Sequence, residues 1–260
     1  YDYYFAFSPS WFGLFLGLLS KSKFKSSLIL QSRYKSNFLS KFWQIALSKI
    51  FFSDFKILNR YALLLKNENI HQTNIMMEIV SNSGIRINKN KKTKFFFSNK
   101  FSLKKDNSIC VIHLSSKWIN NKFYSEDSFL ELLKLLKNKN LSIYLTSDET
   151  TKNKFSKIFN LIPIIDDSSN LINNDKQVVI CNNFDFKNWT SLINQSKYVI
   201  TPESGCTHIA SLTNCKLCVI YDSDNLPDFI MNEYAPWNKQ YLALETNDKE
   251  LNKKILNFIE

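Results

Sequence analysis

The stretch TPESGCTHIA, residues 201–210, places an acid, hydroxyl groups, a glycine and a histidine between two apolar runs, KYVI and KLCVIY. If a helix begins just after the glycine, its free amides and the positive end of its dipole favour an anion such as phosphate. We expect Ser204 to donate a hydroxyl and His208 to donate to a phosphate oxygen. Glu203 either accepts from a sugar hydroxyl or orients a donor. Gly205 is expected to turn tightly at positive φ and to admit a ligand to the backbone. A routine helix cap explains the same residues equally well.

A second polar group follows the apolar run ICVIHL, in the stretch IHLSSKWINNKFY at 112–124. Ser115 and Ser116 supply hydroxyls, and Lys122 supplies a compact positive charge that suits a phosphate. We expect His113 to pack or cap beneath the loop rather than to take part in chemistry. The two groups together indicate an anionic ligand.

Two further loops extend the pattern. LTSDET, residues 145–150, offers hydroxyls and the acid Glu149, which suit the cis-diol of a ribose, although a helix start capped by Ser147 or Asp148 is an equally good interpretation. YDSDNLPD, residues 221–228, either lines the same crevice or forms an acidic surface loop. The glycines of a P-loop and of a GxGxxG dinucleotide motif are missing. The hypothesis is therefore a nucleoside-diphosphate site.

The second half of the chain predicts a scaffold that brings these loops together. Short apolar runs predict strands at 109–114, 141–145, 177–181, 197–200 and 217–221, and helices at about 126–138, 150–159, 187–195, 206–213 and from about 248 to the end. Alternating strands and helices predict a parallel sheet with right-handed crossovers. Ligands of such sheets bind at the carboxyl ends of the strands, where all four loops lie.

The first half of the chain is less regular. We predict strands in YYFAF and SLIL (27–30) and helices at 11–20, 38–52 and 72–83. The basic, aperiodic stretch RINKNKKTKFFFSNKFSLKK at 86–105 is interpreted as a linker, with FFF as a candidate strand. The apolar pieces near the start flank Ser8-Pro9-Ser10, and each is shorter than the roughly 20 residues of a membrane span.

Composition narrows the class of protein. The formal net charge of +11 arises in residues 1–105, whereas residues 106–260 are slightly acidic. The basic half favours an anionic partner, and a lysine-rich composition set by AT-rich codons explains it equally well. The five cysteines lack a paired CxxC arrangement, so we expect buried, reduced thiols and no metal site. The chain begins with Tyr and shows no signal peptide, so we expect a cytoplasmic protein that is trimmed, processed or a fragment.

Three segments resemble glycosyltransferase family 9, the lipopolysaccharide heptosyltransferases. VITPESGCTHIASLTNCKLCVIYDSDN resembles the family's D-T-G-x-x-H-(L/I)-A segment. ICVIHLSSKWINNKFYSEDSFLELLKLLKNKNLSIYLTSDE resembles its strand, H-P-G-(S/A)-S, K-x-(W/F), helix and strand ending in T-G-G-x-x-E. YDYYFAFSPSWFGLFLGLLSKSKFKSSL resembles its second strand–helix–strand, and His71 falls where a family histidine precedes a helix.

The resemblance implies a GT-B fold with two Rossmann-like domains of parallel sheets. It implies an incomplete, acceptor-side N-terminal domain at 1–90, a linker at 91–107, a nucleotide-sugar-binding C-terminal domain at 108–245 and a C-terminal helix at 246–260. The implied reaction moves a heptose from an ADP-activated donor to a lipid-linked inner-core acceptor, with inversion and without a metal or cofactor. The enzyme would work in the cytoplasm, peripheral to the inner membrane.

The resemblance also assigns residues. In the D-T-G-x-x-H motif, the Asp is matched by Glu203, the Thr by Ser204, the Gly by Gly205 and the His by His208. The family's phosphate-contacting Lys is matched by Lys122, and its hydroxyl pair by Ser115 and Ser116. Its ribose-binding acid is matched by Glu149. The chain departs from the family pattern at three places. The acid at position 203 is Glu, one carbon longer than the family's Asp, and the loop after His113 lacks the family's Pro and Gly. Ser147 and Asp148 replace the family's two glycines. No residue matches the family's catalytic base, an Asp in a G-D pair after the first strand, so we expect that base to precede Tyr1.

Two other classes of function stay open. A nucleotide-sugar-binding remnant would keep the fold without the chemistry. A nucleic-acid-binding protein would use the basic half, but no recognition motif is present and we expect no nucleic-acid partner. If the acceptor is lipid-linked and anionic, we expect the basic half to face an anionic membrane through Lys21, Lys23, Lys25, Arg33 and Lys35.

Overall fold

A computed structural model describes residues 1–7, 11–31, 39–66, 68, 70–88, 103, 108–147, 149–171, 177–237 and 239–259. The chain forms two compact units, of which the first contains Tyr1–Lys91 and Asn232–Ala235 and the second contains Lys92–Met231 and Pro236–Glu260. Arg33, Lys35, Asp148, the FFF segment and all of the predicted 91–107 linker except Leu103 lie outside the described residues.

The first unit is built on a parallel sheet of three strands in the order β1-β2-β3. Its elements are β1 (Tyr3–Ala6), α1 (Trp11–Leu19), β2 (Phe24–Leu30), α2 (Leu39–Phe51), β3 (Asp54–Leu58), α3 (Arg60–Leu65) and α4 (Gln72–Asn82). The two strands and three helices that the sequence predicts here are confirmed. β3 and α3 were not predicted, because β3 has the sequence DFKIL, in which charged residues interrupt the apolar pattern.

The two faces of this small sheet pack differently. On one face, Leu28 packs with Ile75 of α4 in an apolar cluster. On the other face, the Ser27 hydroxyl donates to the hydroxyl of Ser48 on α2 at 2.8 Å, and Gln44 of α2 is also buried. The helix α2 therefore turns polar side chains toward the sheet.

The second unit is built on a seven-stranded parallel sheet in the order β10-β9-β8-β4-β5-β7-β6. Its elements are β4 (Ser108–His113), α5 (Glu126–Lys137), β5 (Leu141–Ser147), α6 (Glu149–Lys152), α7 (Ser156–Leu161), β6 (Ile164–Ile165), β7 (Val178–Asn182), α8 (Phe186–Asn194), β8 (Tyr198–Pro202), α9 (Gly205–Ser211), β9 (Lys216–Tyr221), α10 (Pro227–Tyr234), β10 (Leu242–Glu245) and α11 (Leu251–Phe258).

The strands of the second unit are buried on both faces, as their apolar runs predict. Along β4, Ile109 and Val111 belong to one apolar cluster, while Cys110 and Ile112 belong to the other. The helix α5 begins at the predicted place, because the Ser125 hydroxyl accepts the amide of Ser128. The predicted parallel sheet is thus confirmed, as are its helices except the one expected at 150–159.

Some details differ from the sequence-based expectations. The helix expected at 150–159 is two short helices, α6 and α7, separated where Phe155 turns into the core. β6, α10 and β10 were not predicted, because β6 and β10 are very short and α10 begins at Pro227, inside the 221–228 stretch interpreted as a loop. Within the region 246–260 the helix occupies Leu251–Phe258.

All five cysteines are free and buried. Burial raises the pKa of the Cys110 thiol to about 12, so that this thiol stays protonated at neutral pH and is unreactive. Among the described residues, no helix has the length and hydropathy of a membrane span.

Candidate functional site

The candidate site lies at the carboxyl ends of β4, β8 and β9, which are neighbours in the seven-stranded sheet. All three strands are parallel, so the loops that follow them come together at one edge. These loops are the 114–125 segment, Glu203-Ser204 and the 222–226 segment. The sheet topology therefore brings together three of the four loops that the sequence singled out.

The first contact across this edge joins Lys117 to Glu203. The Lys117 ammonium donates to the Glu203 carbonyl oxygen at 2.8 Å and to its carboxylate Oε2 at 2.9 Å. The lysine side chain is 53% exposed and the glutamate 19% exposed. The Glu203 side chain, one carbon longer than the family's Asp, thus holds the Lys117 ammonium next to the loop after β8.

The second contact joins Lys122 to Asp224. The Lys122 ammonium donates to both carboxylate oxygens of Asp224, at 2.6 and 2.7 Å, and lies 4.9 Å from the centre of the Phe123 ring. The predicted phosphate lysine is therefore paired with the acidic 221–228 loop rather than with the 201–210 segment. Both partners are substantially exposed, so an incoming anion can reach the lysine.

Ser204 acts as the N-cap of α9. Its hydroxyl accepts the Cys206 amide at 3.2 Å, and the Thr207 hydroxyl accepts the Ser204 amide in return. This capping box satisfies part of the helix start from within the chain. The cap interpretation of this stretch is correct for Ser204, and any ligand contact of the residue has to be additional.

Gly205 is the first residue of α9, and its backbone differs from the expectation. Among the described glycines only Gly84 has a positive φ, so the prediction of a tight left-handed turn at Gly205 was wrong. A Cβ built on Gly205 meets nothing within 4 Å. The space in front of this residue is open, and steric crowding within the chain does not require a glycine here.

The remaining predicted residues take up different positions around this edge. His208 is exposed on α9, and Ser115 is half-buried, with its hydroxyl accepting the Lys117 amide. Ser116 is exposed and accepts from the Lys154 ammonium at 3.4 Å. Glu149 begins α6, and its side chain lies outside what the structure describes.

Polar side chains at the carboxyl ends of the neighbouring strands β5, β7 and β6 form a hydrogen-bonded network. The Ser147 hydroxyl donates to Asn182 Oδ1 at 3.2 Å, and Asn182 Nδ2 donates to Asp166 at 3.1 Å. His113 Nδ1 lies 2.9 Å from the Thr146 hydroxyl, and its ring contacts Trp189. His113 is thus built into the floor of the edge, as expected.

Sequence reasoning missed Lys117 and Asn182. Lys117 lies between two residues that were singled out, and only its reach to Glu203 reveals it. The signal for Asn182 is weak: it is one polar residue that ends the apolar run VVIC. In the first unit, His71 caps α4, since its Nδ1 accepts the Thr73 amide at 3.1 Å. Its Nε2 lies 3.0 Å from the carbonyl of Ala235, which belongs to the same unit.

Among the described residues, no group of three or more His, Cys, Asp and Glu side chains is arranged to hold a metal ion.

Two α/β units, each built on a parallel sheet, and charged side chains at the carboxyl edge of the larger sheet are the architecture of GT-B glycosyltransferases. The model of glycosyltransferase family 9 (heptosyltransferase) matches residues 15–256. The chain belongs to this family, which confirms the resemblance drawn from the 109–149 and 201–210 segments.

Solved structures show the same fold. Heptosyltransferase II of E. coli, an ADP-heptose lipopolysaccharide heptosyltransferase, aligns with a TM-score of 0.66 at 12% identity, over 100% of this chain and 75% of that one. E. coli heptosyltransferase WaaC with ADP gives a TM-score of 0.64 at 13% identity, over 100% and 72%. A family 9 glycosyltransferase of Veillonella parvula gives 0.64 at 13%, over 100% and 67%. Comparison with curated proteins gives no match.

Proposed function

We propose that this chain transfers a heptose, or a related sugar, from an ADP-sugar to a lipid-linked lipopolysaccharide inner-core acceptor. The transfer inverts the anomeric centre and uses no metal ion. The observation that carries the proposal is the pair of lysines, Lys117 and Lys122, held by carboxylates across the carboxyl edge of three neighbouring strands. The proposed donor is supported by E. coli heptosyltransferase WaaC, which has a similar fold and is solved both with ADP and with ADP-2-deoxy-2-fluoro heptose.

The chemistry of such a transfer requires stabilisation of the departing nucleoside diphosphate, which gains negative charge as the sugar bond breaks. Lys117 and Lys122 both lie on the loop after β4, and each donates to a carboxylate of another loop at the same edge of the sheet. A cation that is already positioned stabilises developing charge without reorganisation. In the proposal, the diphosphate takes over part of the hydrogen bonding that Glu203 and Asp224 now accept.

The remaining roles follow the same edge. Ser115 and Ser116 add hydroxyl donors, His208 donates to a phosphate oxygen and Glu149 receives the ribose hydroxyls. An inverting transfer also requires a base that deprotonates the acceptor hydroxyl. We assign no residue of this chain to that role. The acceptor would be met at the cytoplasmic surface of the inner membrane.

Calorimetry of ADP binding to the 260-residue chain tests the donor site. Lys122→Ala is expected to weaken binding by roughly 1.5–3 kcal/mol, the typical size of a charge-assisted hydrogen bond, and Lys117→Ala by a comparable amount. The matched control is Lys157→Ala, because Lys157 is also an exposed lysine of the second unit and is paired with Asp127. Equal affinity of the parent and both site variants would refute the assignment.

A transfer assay tests the reaction itself. The parent is incubated with ADP-heptose and a lipid-linked acceptor, and ADP release and the anomeric configuration of the product are followed by nuclear magnetic resonance. We expect the opposite anomer and no loss of rate with a chelator. Tight ADP binding without transfer would instead identify a nucleotide-sugar-binding protein.

A further inference from the structure

The helix α1 exposes one apolar side to solvent. It has the sequence WFGLFLGLL, without a charged residue. Only its Leu14 and Gly17 are buried, and a Cβ on Gly17 would stand 2.5 Å from the Phe52 ring, so the helix lies close against its own unit. The exposed residues of α1 recur at helical spacing and share one stripe: Trp11, Phe12, Phe15, Leu16 and Leu19.

The helix α2 packs beside α1 and is inverted relative to an ordinary surface helix. Its buried residues are Gln44 and Ser48, whereas its exposed side carries Phe42, Trp43, Ile50 and Phe51. A surface helix normally turns its apolar stripe to the core and its polar residues to water. The opposite arrangement here leaves large apolar side chains exposed on two helices that contact each other, and an exposed apolar patch on a protein surface marks an interaction site. We name these nine exposed residues of α1 and α2 the aromatic face.

The charges around the aromatic face indicate what covers it. Neither α1 nor α2 contains an acidic residue. Lys21 and Lys23 follow α1 directly and are exposed, with Lys23 paired to the exposed Asp2 at 3.2 Å, and Lys49 is exposed on α2. An apolar face rich in Trp and Phe and bordered by lysines is typical of helices that lie in the interface of an anionic bilayer. With nine residues, α1 is far shorter than a span.

We propose that the aromatic face is a membrane-docking surface, whose Trp and Phe side chains enter the interfacial region of an anionic lipid bilayer while the lysines contact the headgroups. The inference deepens the proposed function, since a lipid-linked acceptor is presented at such a surface. It adds an apolar component to the purely electrostatic attraction expected from the sequence. Two of the five basic residues in that expectation, Lys21 and Lys23, follow α1 directly.

Cosedimentation of the full chain with vesicles tests the proposal. The parent is expected to bind phosphatidylcholine–phosphatidylglycerol vesicles and to retain measurable binding at high salt. Phe12→Ser with Trp43→Ser, one change on each helix, should lower the partition coefficient by about tenfold or more at low and high salt alike, because buried aromatic area is lost. Lys21→Gln with Lys23→Gln should lower binding at low salt only, because salt screens its contribution.

The matched control is Leu161→Ser with Phe186→Ser. These residues are exposed to a similar degree, 68% and 57%, but belong to the second unit, and the change should leave vesicle binding unaltered. Quenching by lipids with brominated acyl chains provides a second readout. Trp11→Leu with Trp43→Leu should keep binding while losing most of the quenching.

The proposal is overturned if the parent does not bind anionic vesicles, or if the serine variant and its control bind equally. It is also overturned if sedimentation equilibrium shows a lipid-free dimer that the serine variant dissociates, because the aromatic face is then covered by a second copy. ADP calorimetry on the same variants separates the two proposals. Unchanged ADP affinity without vesicle binding defeats the docking surface alone, and vesicle binding without ADP affinity defeats the donor site alone.

Discussion

The two units place their apolar and polar residues in opposite ways. The second unit buries its apolar side chains in two clusters on the two faces of its sheet, while two of its ion pairs, Lys117–Glu203 and Lys122–Asp224, lie at the exposed carboxyl edge. The first unit buries serines and a glutamine beneath α2 and exposes aromatic side chains on α1 and α2. A rigid apolar interior positions a polar site, whereas an outward apolar face provides a surface for an external partner.

The units also differ in their buried charge. In the first unit the Arg60 guanidinium donates to Glu233 at 3.2 Å, and these side chains are only 15% and 2% exposed. Arg60 donates in addition to the carbonyl of Gln31 at 2.6 Å. This pair ties the 232–235 segment to the rest of its unit. The first unit thus contains a nearly buried ion pair, whereas the two ion pairs at the carboxyl edge of the second unit are more exposed.

The largest loss of stability is expected from breaking the ion pair between Arg60 and Glu233. Glu233→Ala leaves the buried Arg60 charge uncompensated, which typically costs about 3–5 kcal/mol. Hydrogen–deuterium exchange should show lost protection in β2 and β3 while the second unit keeps its protection. Glu250→Ala is the control, because Glu250 pairs with Lys253 on the surface and its loss should be nearly neutral. Equal effects of the two variants would contradict the comparison.

The next largest effect on stability is expected when a buried aliphatic side chain, rather than an exposed one, is replaced by alanine. Leu145→Ala empties a fully buried site on β5 and should cost about 2–5 kcal/mol in urea denaturation. Ile50→Ala on the aromatic face should change the free energy of unfolding by less than about 0.5 kcal/mol, since Ile50 is 69% exposed. A large cost at Ile50 would mean that the face is packed within the chain.

A smaller effect is expected at Gly205, where a substitution should change ADP affinity but not stability. Gly205→Ala should leave the free energy of unfolding within about 0.5 kcal/mol of the parent, because the added Cβ meets open space and alanine favours helix. If ADP occupies that space, its affinity should nevertheless fall by about tenfold, or roughly 1.4 kcal/mol. Affinity equal to that of the parent in calorimetry would place the ligand elsewhere.

The smallest effect concerns the start of α11. The hydrogen bond from Lys254, at 2.5 Å, and the amide of Glu250 lower the pKa of Asp248. A carboxyl whose folded pKa is lowered stabilises the fold above its ordinary pKa and loses that contribution as pH falls through the folded value. Asp248→Asn should therefore cost less than about 1 kcal/mol at pH 7, and the difference from the parent should begin to shrink below about pH 4 and vanish only below the lowered folded pKa. A constant difference at all pH values would exclude the carboxylate as the cause.

Much of the fold and part of the site follow from local sequence patterns. The apolar runs at 109–114 and 197–200 predict buried parallel strands, and Ser125 predicts a helix start, because burial and capping depend on neighbouring residues in the chain. The 201–210 motif likewise indicates the family. β3 and β10 escape prediction because short or charged strands acquire their burial from strands that are distant in sequence.

The sequence by itself determined the family, the parallel sheets and the loops that meet at the edge of the larger sheet. Tertiary structure decided which side chains meet there: Lys117 with Glu203 and Lys122 with Asp224. It also decided that Gly205 begins a helix without positive φ and that α2 turns its apolar side outward. The physical reason is that a pattern of apolar residues specifies a helical face, whereas the direction of that face depends on what the rest of the chain packs against it.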